Sequence, residues 1–312
     1  MPEITPYVEF TGTGSATYVA TPHTATIVNL AIRLGRPLLV EGEAGCGKTR
    51  LASAIAEELG VSLIVMTVKS TSQAKDLLYR FDALRRLQDA QDPKNKNARD
   101  IYPYISLEPL GHAICEGTPK VVLIDEVDKA DIDFPNDLLD VFDRFEFDIE
   151  DLPRSEDAAC AAAWGFGRHV TAPARGVRPV VIITSNQEKR LPEPFLRRCL
   201  YTQLDFPADN QAMLADIVCK NLDAHADDVS NALITAAVER FCQVRMRGRE
   251  LGMQKLPATS ELVDWVRVLH WQGRKAESVS PDALDAVDQA VLFKVRQDIE
   301  RYRARTNDEA GR

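Results

Sequence analysis

From residue 36 to residue 206, short apolar runs alternate with longer amphipathic stretches, and that alternation predicts a parallel sheet flanked by helices. The apolar runs at 38–40, 63–67, 121–124, 180–184 and 201–204 read as strands, and the 3.6-residue periodicity at 49–59, 73–89 and 136–142 reads as helix. Past residue 206 the strand signal disappears. Helical segments follow near 210–222, 231–245, 260–271 and 281–303, so the pattern predicts an α/β domain over 1–206 and an all-helical domain over 207–312. Two segments interrupt the alternation: a polar stretch at 90–100 that reads as a mobile loop, and an excursion at 145–172 shaped like a β-hairpin. Residues 306–312 read as a frayed tail.

The first apolar run opens directly into Gly42-Glu43-Ala44-Gly45-Cys46-Gly47-Lys48-Thr49, a complete G-x-x-x-x-G-K-[ST] pattern. Leu51, Ala52, Ile55, Ala56 and Leu59 then follow with helical spacing, and Gly60 stops them. Strand, loop and helix in this order form the context in which the pattern holds a polyphosphate. Glycines let backbone N–H groups wrap the phosphates, the helix N-terminus adds positive potential, Lys48 reaches the β and γ phosphates, and Thr49 offers its hydroxyl to Mg²⁺. The reading is a nucleoside triphosphate site.

Val121-Val122-Leu123-Ile124 ends in Asp125-Glu126, a buried strand delivering two carboxylates at its C-terminal end, where open parallel sheets place their ligands. Asp125 is placed to hold Mg²⁺ through its water shell, and Glu126 to polarise the water that attacks a γ phosphate. Such an acidic pair also serves elsewhere as a helix cap. Val180-Val181-Ile182-Ile183 ends in Thr184-Ser185-Asn186, and Asn186 is either a donor to the γ phosphate or the attacking water, or simple turn chemistry. In Leu191-Pro192-Glu193-Pro194-Phe195-Leu196-Arg197-Arg198-Cys199, the adjacent arginines are either a solvated pair or a cation that reaches a neighbouring subunit's site.

Composition narrows the partners. A chain of 312 residues, 45% hydrophobic and 27% charged, is an ordinary globular length for one larger and one smaller domain. Its formal charge of -9 provides no field for nucleic acid or an anionic membrane. The basic groups Arg245, Arg247, Arg249 and Arg296, Arg301, Arg303, Arg305 read as solvated helix faces, so nucleic acid is not the expected partner. The runs Val121-Val122-Leu123-Ile124 and Val180-Val181-Ile182-Ile183 are far too short to span a bilayer, so no membrane span is expected, and residues 1–9 lack the basic start and apolar core of a secretory signal. Six cysteines without a C-x-x-C pair suggest neither zinc nor a disulfide framework; reduced thiols and a cytoplasmic setting are expected.

Together these residues resemble the AAA+ ATPases. Gly42 through Thr49 look like Walker A, Val121 through Glu126 like Walker B, Asn186 like sensor 1, and Leu196-Arg197-Arg198-Cys199 is similar to a finger segment in which the arginine directly precedes the cysteine, which selects Arg198. More narrowly, Tyr18-Val19-Ala20, Gly35-Arg36-Pro37-Leu38-Leu39-Val40-Glu41-Gly42 and Arg178-Pro179-Val180-Val181-Ile182-Ile183-Thr184-Ser185-Asn186 resemble the MoxR-type branch, over about residues 17–272. The resemblance implies a P-loop NTPase sheet sandwiched by helices with a smaller helical lid. It implies ATP held by Val19, Gly42, Glu43, Ala44, Gly45, Cys46, Gly47, Lys48, Thr49 and Arg50, Mg²⁺ held by Thr49 and Asp125, and catalysis by Glu126, Asn186 and Arg198. One departure stands out: Leu256-Pro257-Ala258-Thr259-Ser260-Glu261-Leu262 carries no arginine where the family has its sensor 2. Arg267, further along, is either a substitute or a solvent-facing side chain.

The leading expectation is an ATP-hydrolysing ring, hexameric by resemblance, that remodels a protein partner in a chaperone-type role, with a von Willebrand A-domain protein as the partner the resemblance suggests. A slowly hydrolysing, nucleotide-gated assembly switch is the second reading. A small-molecule kinase is the third, disfavoured because it needs neither the Asp125-Glu126 pair with a finger arginine nor a helical lid.

Overall fold

The apolar runs become the strands of one parallel sheet. In the computed structural model, described here for residues 7–91, 100–153, 163–173, 177–222, 229–279 and 284–310, the strands in chain order are β1 (Leu38–Gly42), β2 (Ser62–Thr67), β3 (Tyr79–Phe81), β4 (Ile105–Leu107), β5 (Lys120–Asp125), β6 (Glu146–Asp148), β7 (His169–Thr171), β8 (Val180–Ser185) and β9 (Leu200–Leu204). The five-stranded sheet has the order β2-β5-β8-β1-β9. Parallel pairing of β2 with β5, β5 with β8 and β8 with β1 brings the C-terminal ends of these strands to one edge.

The helices of this part are α1 (Pro22–Leu34), α2 (Lys48–Leu59), α3 (Ala83–Gln91), α4 (Pro109–Glu116), α5 (Asp133–Asp137), α6 (Leu139–Arg144) and α7 (Glu193–Leu196). On one face of the sheet Val122, Ile124, Val181 and Ile183 share a core with Leu110 and Ile114 of α4 and Phe142 of α6. The alternate residues Val121, Leu123 and Ile182 point to the other face and are just as buried, which is why the central strands read as unbroken apolar runs.

The expected helix at 73–89 is a correction. A short 3-10 turn (Ala74–Leu77) leads into β3, which pairs antiparallel with β4, and only then does α3 begin. Leu78 is buried just before that strand and Tyr79 on it, and the strand's partner is β4 at 105–107, so a non-local ladder overrides the local helical spacing. The expected helix at 136–142 is divided into α5 and α6 at Leu138, which is fully buried. The expected hairpin at 145–172 takes shape as β6 against β7, with Glu146 opposite Thr171; its middle, 154–162, lies outside the described residues, as do 92–99 of the polar stretch.

Contacts divide the chain into two compact units. The first is built on Thr21–Glu41 and Leu51–Gln203 with an N-terminal piece, and the second joins Ser15–Ala20 and the loop Gly42–Arg50 to Leu204–Arg312. The second unit contains α8 (Gln211–Asn221), α9 (Asn231–Glu250), α10 (Thr259–Trp271), α11 (Ala286–Leu292) and α12 (Arg296–Ala310). The single helix expected over 281–303 is broken: Asp285 caps α11 at its start, Phe293 turns extended at φ -110 and is buried against Tyr302, and α12 begins afterwards and runs to Ala310 rather than fraying from 306. Trp265 of α10 is fully buried at the centre of this core and donates through Nε1 to Asp288 at 2.7 Å. Trp265→Ala is expected to destabilise the helical region by about 3–5 kcal/mol; an unchanged urea midpoint would place Trp265 outside the stabilising core. Among the described residues no helix is long and apolar enough to cross a membrane.

Candidate nucleotide site

β1 ends in Gly42, and the loop that follows turns back on itself. Gly45 has φ +82, and a Cβ there would lie 2.7 Å from Ser260 Oγ; Gly47 has φ +100, with Tyr18 3.4 Å from where its Cβ would be. Backbone and space both call for glycine at Gly45, and the positive φ calls for it at Gly47, so the spaced glycines of the motif shape a bare-backbone cradle ahead of the N-terminus of α2. Lys48 is buried, and its Nζ donates to the carbonyls of Gly42 at 2.8 Å and Glu43 at 2.9 Å. Its ammonium is thus poised inside the loop. Thr49 and Arg50 are exposed in the first turn, and Val19 is half-buried in the same compact unit. Burial raises the Cys46 thiol above its ordinary range against the pull of Lys48, and raises the Tyr18 phenol beside it, so both stay protonated and neutral at pH 7.

At the ends of β5 and β8 a hydrogen-bonded cluster gathers the predicted acids. Thr184 Oγ1 donates to Asp125 Oδ1 at 2.6 Å and accepts from the Glu126 N–H at 2.9 Å. Glu126 sits in the left-handed region at φ 62, a conformation that costs a non-glycine residue about 1–2 kcal/mol and is held here by that hydroxyl. The Asn186 amide donates through Nδ2 to Glu126 Oε1 at 3.3 Å, and Lys129 Nζ contacts Glu126 Oε2 at 2.5 Å, which raises the lysine's pKa. Beneath them lies Asp128, 1% exposed, whose Oδ2 accepts the backbone N–H groups of Asn186 at 3.0 Å and Glu188 at 2.9 Å. Asp128 fixes the turn, the turn aims Asn186, and Asn186 holds Glu126.

The structure therefore brings Asp125, Glu126 and Asn186 together and adds Thr184, Asp128 and Lys129, which sequence reasoning did not single out. Thr184 is legible only through strand register: Ile183 pairs with Ile124, so the next residue of β8 meets the next residue of β5. Asp128 had a visible signal, a third acid two residues past Glu126, but nothing local says that it is buried.

Arg198 stands apart from that cluster. Its Nε donates to Asp143 Oδ2 of α6 at 2.6 Å and its Nη1 to the Pro194 carbonyl at 3.2 Å, whereas Arg197 reaches only as far as Glu193 and is far more exposed, 76% against 32%. Arg267 donates to the Asn221 carbonyl at 2.8 Å and pairs with Asp264 at 3.4 Å. It is half-buried and engaged within the helical unit, not turned to solvent. Arg245 corrects the expectation of a solvated arginine face on α9: it is 2% exposed.

The residues fit the groups the motif implies. The cradle has no side chain at Gly45, where a Cβ would clash, and its lysine is inside; in the first unit, Asp125 offers the hard carboxylate oxygen that Mg²⁺ takes.

No curated protein matches the chain significantly. Among solved structures it is similar to the Thermotoga maritima RuvB Holliday junction branch migration motor, with TM-score 0.46 and 15% identity over 87% of this chain and 74% of that chain. It is similar also to a point mutant of the same protein, with TM-score 0.43 and 14% identity over 89% and 77% of the two chains. The ATPase family associated with various cellular activities (AAA) matches residues 38–207, a span that takes in the sheet, the phosphate loop, the acid-bearing end of β5 and the Asn186 end of β8. By that match over more than half of its length, the chain belongs to the AAA family and is an ATPase.

Proposed function

We propose that this AAA ATPase is a ring-forming motor of the MoxR-type branch that uses ATP to remodel or assemble a protein partner, with a nucleotide-binding domain over 1–206 and a helical lid over 207–312. The observation that carries the reading is the cluster at the ends of β5 and β8, where Thr184, Asp128 and Asn186 hold Glu126 and Asp125 in a fixed relation. A polar network of this kind at the ligand edge of a parallel sheet supports hydrolysis rather than passive binding.

In this reading Val19 and residues 42–50 hold ATP, with Lys48 moving from its loop carbonyls to the β and γ phosphates. Mg²⁺, held by Thr49 and Asp125, would offset negative charge on the phosphate oxygens. Glu126 accepts a proton from the attacking water, Asn186 orients it, and Arg198 completes the site of a neighbouring subunit. A cavity of about 890 Å³ in the first unit, lined among others by Asp133, Asp137, Asp140 and Glu150, supports a protein client over nucleic acid; a von Willebrand A-domain protein is the candidate. Five described cysteines are unpaired, which supports a cytoplasmic setting. The missing sensor 2 arginine favours one second reading, a slowly hydrolysing assembly switch.

The test is the native mass of the protein with and without a non-hydrolysable ATP analogue, beside Lys48→Ala. Assembly into a ring on binding the analogue is expected, and Lys48→Ala should weaken nucleotide binding at least about tenfold by losing a charge at the phosphates. A protein that stays monomeric with bound analogue would overturn the motor, and unchanged affinity in Lys48→Ala would overturn the phosphate site.

A further inference from the structure

Lysine is not the only cation on the phosphate loop. Arg245, on α9, packs its guanidinium over the Phe206 ring at 3.8 Å and donates to the Pro257 carbonyl and, at 3.0 Å, to the Glu43 carboxylate. Glu43 is the second residue of the loop, and its backbone carbonyl accepts from Lys48 Nζ at 2.9 Å. Both polar ends of this residue are thus held by a cation. The lid contributes twice more: Thr259 Oγ1 donates to the Gly45 carbonyl at 2.5 Å, and Ala258 and Ser260 lie where a Cβ on Gly45 would fall. Loop and helical region belong to one compact unit.

A carboxylate in a loop that must accept a polyphosphate is a liability, because like charges a few ångströms apart repel strongly in partly desolvated surroundings. Arg245 is 3% exposed in its side chain and Glu43 52%, so the arginine is fixed and the carboxylate is the mobile member. Burial lowers the guanidinium's pKa and the Glu43 carboxylate raises it again, but an arginine keeps its proton throughout the physiological range. We infer that Arg245 is a positioning residue for the phosphate loop: it pins and neutralises the Glu43 carboxylate, so that the loop meets a nucleotide without an opposing charge and nucleotide affinity depends on the helical region. This rests on the phosphate-loop reading above. It assigns the coupling of the helical region to nucleotide to a residue on α9, not to one at the start of α10 or to Arg267.

The experiment is a charge-pair cycle on the full chain, read as the dissociation constant of a fluorescent ADP analogue, with thermal melting of each nucleotide-free variant as a check on folding. Arg245→Met should weaken binding on the order of tenfold, since it leaves Glu43 charged and loose beside the phosphates. Glu43→Gln should tighten binding by roughly threefold, because the arginine charge is then unopposed. The double variant should return to within about threefold of the parent. Rescue separates charge compensation from packing, as loss of the Phe206 stacking and the Pro257 bond is untouched by a change at Glu43. Parent-like affinity in Arg245→Met, or a loss that the double variant retains, would overturn the inference. If Arg245→Met does not fold, Glu43→Gln alone decides: tighter binding supports the inference and equal or weaker binding overturns it. Lys48→Ala distinguishes the failures, because a Lys48→Ala protein that binds ADP normally removes the phosphate loop itself, whereas one that has lost ADP while Arg245 has no effect removes only this inference.

Discussion

Glu126→Gln is expected to lower the ATP turnover number by about 10²–10⁴-fold while the dissociation constant for ADP stays within a factor of about three. The amide keeps an acceptor for Asn186 Nδ2, now at 3.3 Å from Oε1, and leaves the Thr184 bond to the backbone N–H of residue 126 in place. What disappears is the basic oxygen that can take a proton from water. A structural defect would affect affinity and rate together, so the separation of the two is informative. Steady-state hydrolysis and nucleotide titration of the same preparation measure both, and hydrolysis at the parent rate would exclude Glu126 as the base.

Arg198→Ala is expected to cost on the order of a thousandfold in turnover, the effect of removing an arginine that stabilises charge on a transferring phosphoryl group, with ATP binding per subunit unchanged. The side chain rests on Asp143 at 2.6 Å, but the partners are about a third and nearly half exposed, 32% and 45%, and a pair so open to water is worth only about 0–1 kcal/mol. A phosphate presented by a neighbouring subunit would compete easily for that guanidinium. Because a contact repeated head to tail closes into a ring, the arginine and the assembly stand or fall together. Mixing Arg198→Ala with Glu126→Gln subunits restores interfaces that pair an intact glutamate with an intact arginine, and partial recovery of hydrolysis is the expected result. A mixture as inactive as either variant, with co-assembly demonstrated, would count against action across the interface; full activity of Arg198→Ala alone would end the proposal.

The sequence by itself determined whatever is local. The phosphate loop is a contiguous string whose glycines dictate its backbone, and it needs no distant partner to be recognised; Gly45 and Gly47 adopt the positive φ values that its spacing implies. Unbroken aliphatic runs identified β5 and β8 because strands covered on both faces cannot alternate, and the same runs placed Asp125, Glu126 and Asn186 at strand ends. Tertiary structure alone decided which side chains serve these. Thr184 meets Asp125 from 59 residues away, through strand register, and Asp128 reaches Asn186 across 58. Arg245 looks like one more arginine at the polar end of a helix until Glu43, 202 residues earlier, and the Phe206 ring close over it. The helix expected at 73–89 gave way for the same reason, as β3 exists because β4 pairs with it. Periodicity and motif spacing report the energetics of neighbours in the chain, whereas burial, register and ion pairing are set by segments that approach one another only when the chain folds.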